Sequence, residues 1–174
     1  AQVHNAKGSS DSALVYLRKS LLLNRQMNYP TGEASSCYNI ASTLLYMSQP
    51  DSAHWYMQKA MDLVTGTDTP VPPEYYVTLA NIEQSLGKYS QAMANGTRAY
   101  SLGKEKGLPL TVSDASLLLS DLYFRTGRKD KAYEYLREHM LLRDSISNDD
   151  FLKQVTLMEL QYNYDKKQKA AEYE

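Results

Sequence analysis

The chain has 174 residues, 43% of them apolar and 22% charged, a balance that excludes a disordered, collagen-like or disulfide-stapled chain. Nineteen Lys and Arg stand against 20 Asp and Glu, for a net charge of -1. Nucleic-acid backbones and anionic lipid both demand clustered basic charge, so neither is expected as the main partner.

The first predicted element is a helix carrying Ala13-Leu14-Val15-Tyr16-Leu17, with Gly8 five residues before the alanine. The same arrangement returns at Ala53-His54-Trp55-Tyr56-Met57, Ala92-Met93-Ala94-Asn95-Gly96 and Ala132-Tyr133-Glu134-Tyr135-Leu136. The four alanines lie 40, 39 and 40 residues apart. A glycine precedes three of them at the same distance (Gly8, Gly87 and Gly127), and Gln49-Pro50 supplies the second break. Seven residues after each alanine stand Ser20, Ala60, Ala99 and His139.

Upstream of the breaks lie the apolar-small pairs Ile40-Ala41, Leu79-Ala80 and Leu119-Ser120. Apolar residues around them recur at three- and four-residue steps, the helical period. Each unit therefore reads as helix, tight turn, helix. Longer loops are expected at Pro30 to Glu33, Thr65 to Pro73 and Gly103 to Pro109. Small residues recur because neighbouring helices must approach to about 8–10 Å. Gly8 sits at the turn position of the first unit, so residues 1–7 are expected to be only the end of a helix, with more repeats before them.

Four units in register resemble the tetratricopeptide repeat (TPR), whose W-x2-L-G-x2-Y, A-x3-F, P pattern spans about 34 residues. The third unit carries it in Leu79-Ala80, Gly87, Tyr89, Ala92 and Ala99. The fourth does so in Leu119-Ser120, Tyr123, Gly127, Ala132 and Leu136. Cys37, Tyr76 and Ser116 replace the tryptophan, Leu44 and Glu83 replace the tyrosine, and the period is about six residues longer. The resemblance implies an all-α, right-handed superhelix of antiparallel hairpins over residues 1–147. It divides into a partial unit (1–29) and units at 30–69, 70–108 and 109–147.

The resemblance also implies that the first helix of each unit lines a concave, peptide-holding face. Mapped here, that face is Tyr38, Ser42, Leu45 and Tyr46, then Val77, Asn81 and Gln84, then Leu117, Asp121, Phe124 and Arg125. Its aromatic anchors and few charges suit an apolar or aromatic segment of a protein or peptide. A carboxylate clamp of the chaperone-tail kind is not expected, because Val77 stands four residues before Asn81 where that clamp needs a lysine.

Residues 148–174 form the last predicted element, a long helix from Asp149 to about Glu172 capped by Asn148, Asp149 and Asp150. One stripe, Phe151, Val155, Met158 and Tyr162, is expected to cap the last repeat. A second, Leu157, Leu160 and Tyr164, suggests homodimerisation through this helix or a continuing coiled coil. The runs Arg143-Asp144-Ser145-Ile146 and Glu159-Leu160-Gln161-Tyr162-Asn163-Tyr164-Asp165-Lys166-Lys167 resemble the end of the TPR sensor region in Bacteroidetes-type membrane regulators. That resemblance implies a periplasmic segment of an inner-membrane protein, followed elsewhere by a membrane helix and a helix-turn-helix or kinase module. The rivals are a cytosolic TPR scaffold and a regulatory half of an enzyme.

No catalytic chemistry is expected. His4, His54 and His139 lie in different units without a metal-ligand spacing, and no phosphate loop or nucleophile elbow occurs. No cofactor and no metal is therefore expected. Cys37, the single cysteine, can form no internal disulfide and reads as a small buried residue. No apolar run reaches the roughly 18 residues of a membrane span. Asp11-Ser12-Ala13, Asp51-Ser52-Ala53 and Asp144-Ser145-Ile146 match an O-glycosylation acceptor, but Asp and Ser capping a helix is the simpler reading. Asn95-Gly96-Thr97 is a chance sequon inside a helix. Tyr16, Tyr56 and Tyr135 share one repeated position and are expected to pack.

Overall fold

The structure, a computed structural model, describes residues 2–143, 156–164, 166 and 168, with side chains from residue 10 onward. Seven helices follow one another: α1 (Gln2–Gln26), α2 (Pro30–Tyr46), α3 (Pro50–Thr65), α4 (Pro73–Ser85), α5 (Tyr89–Glu105), α6 (Pro109–Arg125) and α7 (Lys129–Arg143). Residues 156–164 are also helical. The described residues contain no strand.

The turns between helices are built alike, and local sequence explains why. Pro30, Pro50, Pro73 and Pro109 each begin a helix, where the fixed φ of proline is useful and its missing N–H costs nothing. Before four of the tight turns' N-caps a residue adopts a left-handed conformation: Asn28, Ser48, Gly87 and Gly107, with Gly127 completing the set. In each the next N–H donates back to a carbonyl of the last turn, as in Lys88 N to Glu83 O at 2.8 Å and Arg128 N to Tyr123 O at 2.9 Å. This closes the helix end and reverses the chain within three residues.

The structure departs from the sequence expectations in three places. Helix α1 runs unbroken through Gly8, since a helix interior tolerates a single glycine at a cost of about 1 kcal/mol. Asp11 and Ser12 therefore lie mid-helix rather than at a cap. Asp51 and Ser52 sit inside the first turn of α3, whose N-cap is Gln49. The loops expected at Pro30 to Glu33 and Gly103 to Pro109 shrink to three-residue turns, since Pro30 already belongs to α2 and Gly103 to α5. Only the expected loop at Thr65 to Pro73 is long: residues 66–72 join α3 to α4.

Each hairpin (α2–α3, α4–α5, α6–α7) packs on itself and on the next, while α4 also packs on α2 and α6. The first helices therefore share one side of the array, the inner one of an α-solenoid. The core follows this order as successive apolar clusters rather than one centre. Leu14, Ile40, Met57 and Ile82 belong to the first; Leu119, Tyr123 and Ala132 belong to the last. The repeated alanines Ala53, Ala92 and Ala132 are buried, as are Ala60, Ala99 and His139.

The first unit departs from the pattern. Tyr16 is 72% exposed and Ser20 is also exposed, although their counterparts Tyr56 and Ala60 are covered. Ser20 still meets Ser36 of α2, their hydroxyls 3.2 Å apart, whereas the Tyr16 ring is left largely to solvent. At the other end, Tyr133 of α7 stacks on Tyr162 at 4.8 Å and donates its hydroxyl to Glu159. These contacts seat residues 156–164 against the last hairpin. Met158, Leu157, Leu160 and Tyr164 remain exposed. Phe151, Val155 and the expected cap at 148–150 lie outside the described residues, as does Asp144-Ser145-Ile146.

The groove between α4 and α6

The first helices of the second and third hairpins, α4 and α6, each turn one face inward. On α4 this face carries Glu74, Val77, Thr78, Asn81 and Gln84; on α6 it carries Leu110, Thr111, Asp114, Leu117, Leu118 and Asp121. Apart from the adjacent pairs Val77-Thr78, Leu110-Thr111 and Leu117-Leu118, they fall at three- or four-residue steps and so form two facing rows. Between the rows lies an open groove of about 720 Å³, which Tyr38 of α2 also lines. Tyr38 is held there by stacking on Tyr75 at 4.5 Å, with the rings 6° from parallel, and by a hydrogen bond from Thr78.

Six of the expected residues meet in this groove: Tyr38, Val77, Asn81, Gln84, Leu117 and Asp121. Asn81 spends its amide on the Val77 carbonyl of its own helix. The Gln84 amide donates to Asp121 across the groove, and Arg125 Nε pairs with the same carboxylate at 2.7 Å. Arg125 is thus paired with the groove wall without lining the groove itself, and Phe124 beside it is exposed outside the groove. Ser42 and Tyr46 line a separate recess of about 360 Å³ with Ser10, Ala13 and Thr43. Leu45 is turned the other way and packs on the first core cluster. The helical period places it one step round from Ser42 and Tyr46, which sequence alone did not separate.

The groove also holds residues that sequence reasoning missed: Glu74, Thr78, Leu110, Thr111, Asp114 and Leu118. A signal existed, since each lies one helical turn or one step from an expected residue. Their chemistry changes the picture of the groove. Three carboxylates line it, and none of the lining residues is a lysine or arginine, so it is not the sparsely charged surface expected from sequence.

Elsewhere the titratable groups serve structure. His139 is buried in α7, and its Nδ1 lies 2.8 Å from the Ser113 carbonyl and 2.9 Å from the Ser113 hydroxyl. His54 is half-buried on α3. Glu138 accepts from the Tyr100 hydroxyl at 2.6 Å and pairs with Lys104, tying α7 to α5. Among the described residues no three His, Cys, Asp or Glu side chains stand where they could share a metal ion. No described helix is long and apolar enough to cross a membrane.

Cys37 is fully buried in α2, and burial pushes its thiol from 9.0 up to about 11. Above pH ~9 the unfolded thiol ionises while the folded one does not, so this group costs the fold stability as pH rises from about 9 to about 11. The expected result at about pH 8 is complete labelling by an aromatic disulfide reagent in denaturant, and labelling at least about a hundredfold slower in the native protein. Fast native labelling would show that the α2 core opens readily.

A tetratricopeptide-repeat family model matches residues 113–140, covering most of the α6–α7 hairpin. No curated protein sequence matches the chain. Among solved structures, a crystal structure of MamA is 19% identical with a TM-score of 0.62, over 97% of this chain and 95% of that one. A second MamA crystal structure, also 19% identical, gives a TM-score of 0.54 over 78% of this chain and 64% of that one. At such identity the likeness is one of fold, and the fold is a TPR-like α-solenoid.

Proposed function

We propose that this chain is a protein-binding module without catalytic chemistry of its own, which holds a segment of a partner protein between α4 and α6. The observation that supports it best is the pair of facing side-chain rows across an open groove, on the side where the first helices meet. Rows of this kind suit an extended or helical segment, which needs a trough rather than an enclosed pocket. The TPR match at residues 113–140 supports the same reading.

A photo-crosslinking residue at Leu117 should capture the partner, and the same residue at Ser101, exposed on α5, should not. Titration of the captured partner segment should then weaken about tenfold with Leu117→Ala, in line with loss of one buried aliphatic anchor. Equal capture from both positions would remove the groove from consideration.

We further propose that the module is the periplasmic sensing part of a membrane-anchored bacterial signalling regulator. The resemblance at residues 143–146 and 159–167 supports this setting. So do the contacts from Tyr133 to Tyr162 and Glu159, through which a shift of the last hairpin can reach the terminal helix. An export-dependent reporter fused to the parent protein in its host should be active on the outer side of the inner membrane. Activity of a cytoplasmic reporter alone would favour the cytosolic scaffold.

A further inference from the structure

We propose that the segment held in the groove is cationic and amphipathic, alternating lysine or arginine with aliphatic side chains along the edge that meets α6. This rests on the groove being the binding site and deepens that reading by naming the chemistry of its occupant.

Leu110, Asp114, Leu117 and Asp121 follow one another on α6 at steps of four, three and four, in a single row on the groove wall. An aliphatic and a carboxylate therefore alternate, roughly 5–6 Å apart. Leu110 is 66% exposed and Leu117 45% exposed, large values for leucines facing inward. Glu74 adds a carboxylate from the opposite wall. The sign of the groove is local, since the whole chain is nearly neutral.

The three acids are not equivalent. Asp121 already has its counter-charge in Arg125 and accepts a hydrogen bond from the Gln84 amide. Glu74 and Asp114 are exposed, and among the described residues neither pairs with a cation. A purely apolar segment filling the groove would strip water from both carboxylates and return no counter-charge. An acidic segment or a nucleic acid would meet repulsion. Cationic groups flanked by aliphatics satisfy the acids and the leucines together. A helix repeats same-face residues about every 5–6 Å, and a strand about every 6–7 Å, so either can match the row.

The test uses three fluorescent peptides of roughly twelve residues, long enough for the row. They share one leucine pattern and carry Lys, Gln or Glu at the alternate positions. The Lys peptide should bind tightest and weaken as salt rises. The double variant Glu74→Gln, Asp114→Asn should weaken it about fivefold and leave the Gln peptide unchanged. Leu110→Ala with Leu117→Ala should weaken both.

Glu105→Gln with Glu134→Gln, which removes exposed acids on the outer helices, should change nothing. If it matters as much as the groove pair, the attraction is diffuse and the inference is overturned. Binding of the Gln or Glu peptide as tight as the Lys peptide, with leucine sensitivity kept, overturns the inference but leaves the groove standing. Loss of leucine sensitivity in every peptide overturns the groove itself. Absence of saturable binding by the Lys peptide up to about 1 mM also overturns the inference.

Discussion

Leu119→Ala is expected to remove about 3–4 kcal/mol of stability. Leu119 is fully buried in α6 and packs with Tyr123 and Ala132, with Met93, Tyr100 and Tyr135 at the edge of the cluster. It therefore joins α5, α6 and α7, and neither a turn nor solvent can collapse into the space it leaves. For a chain of this size the melting temperature should fall by roughly 6–16 °C. A solenoid transmits such damage only to neighbouring units. Hydrogen exchange should accelerate across α5 to α7 and change little in α2 and α3. Uniform acceleration would mean that the array unfolds as one cooperative body, contrary to nearest-neighbour packing.

Gly103→Leu is expected to lower stability by about 2–3 kcal/mol, in spite of the better helix propensity of leucine. Helix α5 buries Ala92, Gly96, Ala99 and Gly103, a stripe of small residues against which α6 lies. A Cβ at Gly103 would stand 3.0 Å from Val112 Cγ2 and 3.3 Å from the Val112 backbone nitrogen. The side chain of Val112 can move a little, but the backbone nitrogen can move only with α6. The larger residue therefore pushes α6 away from α5 and, because α6 forms one wall of the groove, alters the groove as well. The signature is a lowered denaturation midpoint together with weaker partner binding. Gly87→Ala is the informative contrast: nothing lies within 4 Å of its Cβ, so its cost is the backbone strain of a positive φ alone, about 1 kcal/mol.

Much of the architecture was legible because its cause is local or periodic. Ala53, Ala92 and Ala132 recur where helices must touch, and the structure buries all three. Gly87 and Gly127 mark turns because only a residue tolerant of positive φ closes them cheaply. The same logic failed at Gly8, because a helix interior tolerates a single glycine. It also passed over Asn28 and Ser48, which take the left-handed conformation in the same kind of turn.

In the groove, periodicity found one face of α4 and α6 but misplaced Leu45. It also omitted Glu74 and Asp114, since an acid on a helix face looks like ordinary solvated surface until a second helix is seen opposite. The order of small and large residues along the chain determined by itself that helices form hairpins and that hairpins stack. Which side chains converge was decided only by tertiary packing, because the distance between α4 and α6 depends on how deeply α6 settles into the small-residue stripe of α5, and no spacing within either helix encodes that depth.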